Sequence, residues 1–173
     1  MSQQRIIGII GAMPEEINSI IHLLTHTTSL VIGQRTYYSG SINGVATVVV
    51  FSRWGKVAAA TTASTLINHF AVTEIIFTGV AGGIAADIHI GDIVLGKKFV
   101  QHDMDARPLM QRFEIPLLNK TYFESDETLC SVTEKAIELI LQKEHLHKLI
   151  ATKELLKFNI NPANFMESSF WQG

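Results

Sequence analysis

Arg5-Ile-Ile-Gly-Ile-Ile-Gly-Ala-Met-Pro-Glu-Glu-Ile17 is the stretch whose reading decides the fold. Ile6, Ile7, Ile9 and Ile10 form a short β-branched run of the kind that a parallel strand, buried on both faces, requires. Pro14 suits the first position of a helix, where an N–H would have no partner, and Ile17, Ile20, Ile21 and Leu24 fall at helical spacing on one face. A strand therefore turns directly into a helix, with Glu15 and Glu16 on the turn. In an open α/β sheet, ligands bind outside the carboxyl ends of the strands, at turns like this one. Acidic side chains also favour a helix N-terminus through its dipole, by about 0.3–1 kcal/mol each when exposed, so the pair has a structural as well as a functional reading.

Two further strand ends share the pattern. Glu74-Ile-Ile-Phe-Thr-Gly-Val-Ala-Gly-Gly-Ile84 is an apolar strand running into small residues that allow close approach to the backbone. Val45 to Phe51 reads as a buried strand entering Ser52-Arg-Trp-Gly-Lys-Val57 and another helix. Three such ends suggest one shared site. Tyr37 to Ile42 and Val45 to Phe51 flank Asn43-Gly44, which supplies the positive φ angles of a type I′ hairpin. Residues 56–70 read as a helix packing on the sheet through Val57, Ala60, Ala63, Ile67 and Phe70. Gly91-Asp-Ile-Val-Leu-Gly96 reads as the next strand, with Phe99-Val100 as its continuation. The expected class is α/β, with a mixed, mostly parallel central sheet flanked by helices.

Periodicity stops between Gln101 and Tyr122, where Pro108 and Pro116 punctuate a loop unusually long for a compact domain. Leu109, Met110, Phe113, Ile115, Leu117 and Leu118 make it too apolar for a solvated linker, and it is expected to cover a pocket or contact another subunit. Residues 126–142 return to helix, with Leu129, Val132, Ala136, Ile140 and Leu141 on one side and Asp126 as its cap. Thr152 to Phe158 reads as a further short helix, and the tail from Ala163 shows no pattern.

Composition limits the function classes. The 173 residues, 47% of them hydrophobic, suit one domain with a sizeable core, and a net charge of -2 leaves no basic footprint for nucleic acid. Cys130 is the single cysteine, so no internal disulfide forms; it reads as buried helix filler in a chain suited to a reducing cytoplasm. The N-terminus lacks a signal-peptide pattern, and no apolar run approaches the roughly 18 residues a membrane span needs. His102, Asp103 and Asp105 make poor zinc spacing and read as loop anchors.

Gly8-Ile-Ile-Gly-Ala-Met-Pro-Glu-Glu16, Ser52-Arg-Trp-Gly-Lys-Val-Ala-Ala59, Thr78-Gly-Val-Ala-Gly-Gly83, Gly91-Asp-Ile-Val94 and His102-Asp-Met-Asp105 stand in an order that resembles methylthioadenosine/S-adenosylhomocysteine nucleosidases. The wider family is that of the purine nucleoside and uridine phosphorylases. The resemblance implies a three-layer fold and hydrolysis of the N-glycosidic bond of 5′-methylthioadenosine and S-adenosylhomocysteine, without metal or cofactor, by a cytoplasmic homodimer. Glu16 resembles the catalytic carboxylate that prepares a water to attack the ribose C1′. Ala12 and Met13 match the ribose and water pocket, and Trp54 matches a position beside the sugar and alkylthio group. Val80, Ala81 and Gly82 match the loop near the base. The stretch from Leu109 to Pro116 looks like the segment one subunit lends to its neighbour's alkylthio pocket.

Other parts of the family pattern are not found. The chain shows no Ser-Gly-Asp motif, and no Ser-Asp pair before a final helix to supply the aspartate that protonates adenine. Ser125-Asp126 reads as a helix start, and Met166-Glu167 as a chance match to the pair that holds the ribose hydroxyls. Residues 1–173 are thus expected to form one nucleosidase-like domain, incomplete at its C-terminal end. Two rival readings stand beside hydrolysis. A nucleoside phosphorylase would need arginines converging on phosphate, for which Arg53 is one candidate; a non-catalytic nucleoside-binding fragment would keep half a site. Dinucleotide binding through Gly8 and Gly11 is weaker, because the full glycine fingerprint is lacking.

Overall fold

The computed structural model describes residues 4–142. They divide into two compact units, one up to Gly82 and one from Gly83.

The first unit follows the order β1 (Ile6–Gly11), α1 (Pro14–Ile21), β2 (Thr25–Ile32), β3 (Arg35–Ile42), β4 (Val45–Phe51), α2 (Lys56–Asn68) and β5 (Glu74–Phe77). Its strands make one sheet in the order β2-β3-β4-β1-β5. β1 lies between β4 and β5 and is parallel to both, with Ile9 opposite Val49 and Ile76, and Ile10 opposite Val50 and Phe77. β2, β3 and β4 pair antiparallel. The sheet is mixed, as expected, but parallel and antiparallel pairings are equal in number rather than mostly parallel. The reason is the hairpin connections, since a two-residue turn can join only antiparallel neighbours. Asn43 and Gly44 have φ of 50° and 81°, as the type I′ turn requires.

Helices cover both faces of this sheet, giving three layers. On one face Ile10, Tyr37, Val48, Val50 and Val72 pack with Leu66 of α2; on the other, Val49 and Leu24 pack with Ile17 of α1. Coverage from both sides explains why Thr47, Val48, Val49 and Val50 are buried consecutively instead of alternating. Full burial of a valine side chain such as Val49 or Val50 contributes about 1.5–3 kcal/mol. α1 ends at Ile21, before Leu24, which reaches the same core from the chain beyond the helix.

α2 forms where expected but turns a different face inward. Thr62 and Leu66 are buried, with Ala63 and Phe70 packed beside the core, whereas Val57 and Ile67 are exposed, as is Ala60. Small residues all round the helix left its inward face open. Gly8 selects one: a Cβ there would lie 3.2 Å from Leu66 Cδ1, so the glycine admits Leu66 against β1. β2 was not foreseen. It is an edge strand of Thr25-His-Thr-Thr-Ser-Leu-Val-Ile32, exposed along nearly its whole length, and it lacks the alternating apolar pattern that a half-buried strand would show.

In the second unit, the expected strand Gly91–Gly96 is not a strand. Pairing begins only at β6 (Lys98–Phe99), which runs antiparallel to β7 (Phe123–Glu124). A strand needs a partner ladder, and among the described residues of this unit only β7 offers one. α3 (Glu127–Gln142) starts with the expected cap, the Leu129 N–H donating to Asp126 Oδ1 at 2.9 Å. Its more covered residues are Leu129, Cys130, Thr133, Glu134, Ile137 and Leu141; Val132, Ala136 and Ile140 are exposed, and Cys130 is half-buried rather than buried. Residues 101–122 form a succession of turns, closed locally by an isolated bridge between Ile115 and Lys120. The expected helix at Thr152 to Phe158 and the Met166-Glu167 pair lie outside the described residues. No helix among those described is long and apolar enough to cross a membrane.

Candidate functional site

Three parallel strands end together in the first unit, and their ends are tied to one another. Beyond β4, Ser52 donates to the Gly11 carbonyl from both its N–H, at 2.9 Å, and its hydroxyl, at 3.2 Å. Beyond β5, the Thr78 N–H donates to the Ile10 carbonyl at 2.9 Å. These bonds extend the ladder one step past each strand and place Gly79-Val80 beside Gly11-Ala12. The three ends with small or polar residues therefore do meet.

Glu16 lies in the space they enclose. Its Oε2 accepts from the Ala12 N–H at 2.6 Å and the Met13 N–H at 2.8 Å, and its Oε1 accepts from the Val80 N–H at 3.0 Å. The bond from Met13 is half of a capping box, which is the local, structural use of an acid at this position. The bond from Val80 is not local, because it joins residues 64 apart in the chain. A carboxylate offers about four acceptor directions, so three donors orient the group and leave one direction for a further donor such as water. Ile17, buried at 2% exposure on the next residue, anchors α1 to the sheet and fixes where Glu16 starts. Glu15 is exposed and takes no part.

The other expected residues are placed as follows. Ala12, Met13 and Val80 touch the Glu16 carboxylate through their backbones; Ala81 and Gly82 continue the same loop, exposed, with open space around Gly82. Trp54 is 77% exposed. Arg53 donates to the Gln34 carbonyl at 2.8 Å, and Arg35 donates to the carbonyls of Ser52 and Gly33, so two neighbouring guanidinium groups are committed to the backbone instead of converging on an anion. Ser52 and Gly79 were not singled out. A glycine immediately after an apolar strand is the signal that could have marked Gly79.

Leu109 and Pro116 belong to the second unit, both exposed. Leu109 lines an open depression of about 500 Å³ with Arg107, Pro108, Met110, Gln111 and Glu114. At its margin Arg107 grips Asp105 with both guanidinium arms, at 2.9 and 2.6 Å. The side-chain hydrogen bonds from Arg107, then its backbone N–H, push the Asp105 carboxyl down to about 2. Among the described residues no group of three or more His, Cys, Asp or Glu side chains could hold a metal ion.

Comparison with known proteins agrees with this geometry. Residues 6–153 match the family model described as the phosphorylase superfamily. A 5′-methylthioadenosine/S-adenosylhomocysteine nucleosidase from Actinobacillus succinogenes is 37% identical over 75% of this chain and 56% of its own length. One from Anoxybacillus flavithermus is 31% identical over 95% of the chain and 71% of its own. Among solved structures, the nucleosidase from Colwellia psychrerythraea 34H in complex with adenine superposes with a TM-score of 0.74 at 34% identity, over 79% of this chain and 56% of that one. The chain thus spans between 56% and 71% of the length of these relatives.

Proposed function

The chain belongs to the phosphorylase superfamily and, within it, to the 5′-methylthioadenosine/S-adenosylhomocysteine nucleosidases, and from that premise we propose that it hydrolyses the N-glycosidic bond of these two nucleosides, with Glu16 as the catalytic carboxylate. The observation that carries the proposal is the Glu16 carboxylate, held by the N–H groups of Ala12, Met13 and Val80 at the joined ends of β1 and β5.

An N-glycosidic bond breaks through a cationic, oxocarbenium-like sugar. A fixed carboxylate stabilises that charge and takes a proton from the attacking water, whose oxygen bonds to C1′ as the bond to the base breaks. The same charge repels phosphate, and Arg53 and Arg35 do not converge to offset it, which favours hydrolysis over phosphorolysis. The ribose side of the pocket is assigned to Ala12, Met13 and Trp54, the base side to Val80, Ala81 and Gly82. The stretch from Leu109 to Pro116 is assigned to a neighbour's alkylthio pocket in a cytoplasmic homodimer. Residues 1–173 are assigned to one nucleosidase-like domain. We assign none of the described residues to protonation of the leaving adenine. Without such an acid the base departs as an anion, and general acid catalysis is typically worth about 10²–10⁴-fold, so turnover by these residues alone is expected to be slow.

The test is chromatographic detection of free adenine from 5′-methylthioadenosine in phosphate-free buffer, beside a Glu16→Gln control. Adenine that disappears with the substitution supports hydrolysis. Release of a sugar phosphate that depends on added phosphate would establish a phosphorylase instead, and binding of an adenosine analogue without turnover would establish a nucleoside-binding fragment.

A further inference from the structure

Gly79 does not have the positive φ that favours glycine, so the left-handed region does not demand one there. What demands it is Glu16. A Cβ built on Gly79 would lie 2.7 Å from Glu16 Oε1, 2.9 Å from Cδ and 2.9 Å from Oε2, and these carboxylate atoms are its three nearest neighbours. At Gly11 a Cβ would strike Ile17 Cγ2 first, at 2.5 Å, with Glu16 Cβ and Oε2 farther off at 3.3 Å, so that glycine chiefly serves the packing of α1.

We infer that Gly79 is the positioning residue for Glu16: its missing side chain lets the turn after β5 close over the carboxylate, so that the Val80 N–H reaches Oε1 while Ala12 and Met13 hold Oε2. The inference rests on the nucleosidase reading of Glu16 and deepens it. The carboxylate is the flexible end of a side chain, so a methyl group at 79 displaces it without disturbing the core. The fold survives and the reacting group moves.

The experiment compares the full chain with Gly79→Ala, Glu16→Asp and the double variant, using adenine release from 5′-methylthioadenosine and the ¹⁵N shifts of the Ala12 and Met13 amides, which donate to Glu16 and are remote in sequence from residue 79. Gly79→Ala is expected to lower kcat by about 10²-fold, the effect of a misplacement near 1 Å, with KM little changed and a melting temperature lowered no further than in Glu16→Gln. In the Glu16→Asp background the carboxylate is withdrawn by one methylene, so the same change at 79 should cost less than about threefold more, a departure from additivity that direct contact produces. The Ala12 and Met13 amide shifts should move in Gly79→Ala. Full activity with both amides unmoved overturns the inference, as does a loss of the same size in both backgrounds. Should the unsubstituted chain release no adenine, the functional reading falls separately. The amides then decide for Gly79: moved shifts support its role, and unmoved ones end it.

Discussion

Replacing Glu16 with glutamine should cost stability as well as activity, and the amount follows from counting donors and acceptors. The carboxylate serves three backbone N–H groups, two on Oε2 and one on Oε1. Glutamine has one oxygen, with two lone pairs, and an NH₂ group that can only donate. With its oxygen placed toward Ala12 and Met13, the NH₂ faces the Val80 N–H; turned the other way, it faces both of the others. At least one N–H loses its acceptor. An orphaned buried donor costs about 1–3 kcal/mol, and because this site is only half-buried we take about 1–2 kcal/mol. For a chain of this size each kcal/mol lowers Tm by about 2–4 °C, so a fall of about 2–8 °C is expected. Both glutamates also favour the α1 N-terminus through the helix dipole, so Glu15→Gln is the matched control and should lose only that smaller contribution. Thermal and urea unfolding followed by circular dichroism measure the difference, and the ¹⁵N shift of the Val80 amide locates it. Equal stability of the two variants, with Val80 unmoved, would refute the bonding scheme on which the site is built.

Leu66→Ala removes a fully buried side chain wedged over Gly8 and is expected to cost about 2–5 kcal/mol in urea titration; a cost under about 1 kcal/mol would mean α2 does not pack there. Gly44→Val forces a branched side chain into the hairpin's φ of 81° and should destabilise the first unit by about 1–2 kcal/mol, read by the same method. Asp105 is held down to about 2 by Arg107, so whatever stability the pair contributes is complete above the ordinary carboxylate value of 3.8 and is lost as pH falls from there through about 2. Carboxyl NMR should show its midpoint near 2, returning toward 3.8 in Arg107→Ala; an unchanged midpoint would place the cause elsewhere.

How much was legible depended on whether the signal was local. β1, α1, the Asn43-Gly44 hairpin, β5 and the Asp126 cap each follow from a few adjacent residues, through branched apolar runs, a proline at a helix start or a turn that needs positive φ. The motifs around Glu16, Trp54 and Val80 were readable for the same reason. Elements whose signal lies in their partners were not. β2 is exposed and half threonine and serine, and pairing with β3 is what makes it a strand. Gly91–Gly96 has a strand's composition but no partner ladder among the described residues of its unit. α2 carries small residues on every side, and only the groove at Gly8 chose which face went inward.

From the sequence alone came the α/β class, the strand-to-helix turn that carries Glu16, and the family likeness, because short-range propensity and motif order are written in neighbouring residues. Only the tertiary structure decided that Val80, 64 residues away, would donate to Glu16, that Gly79 would be the residue leaving room for it, and that Trp54 would stand in solvent. The first two of these outcomes depend on the parallel register of β1 against β5. Such a register is set by side chains packed on both faces of a sheet, not by any stretch of chain considered alone.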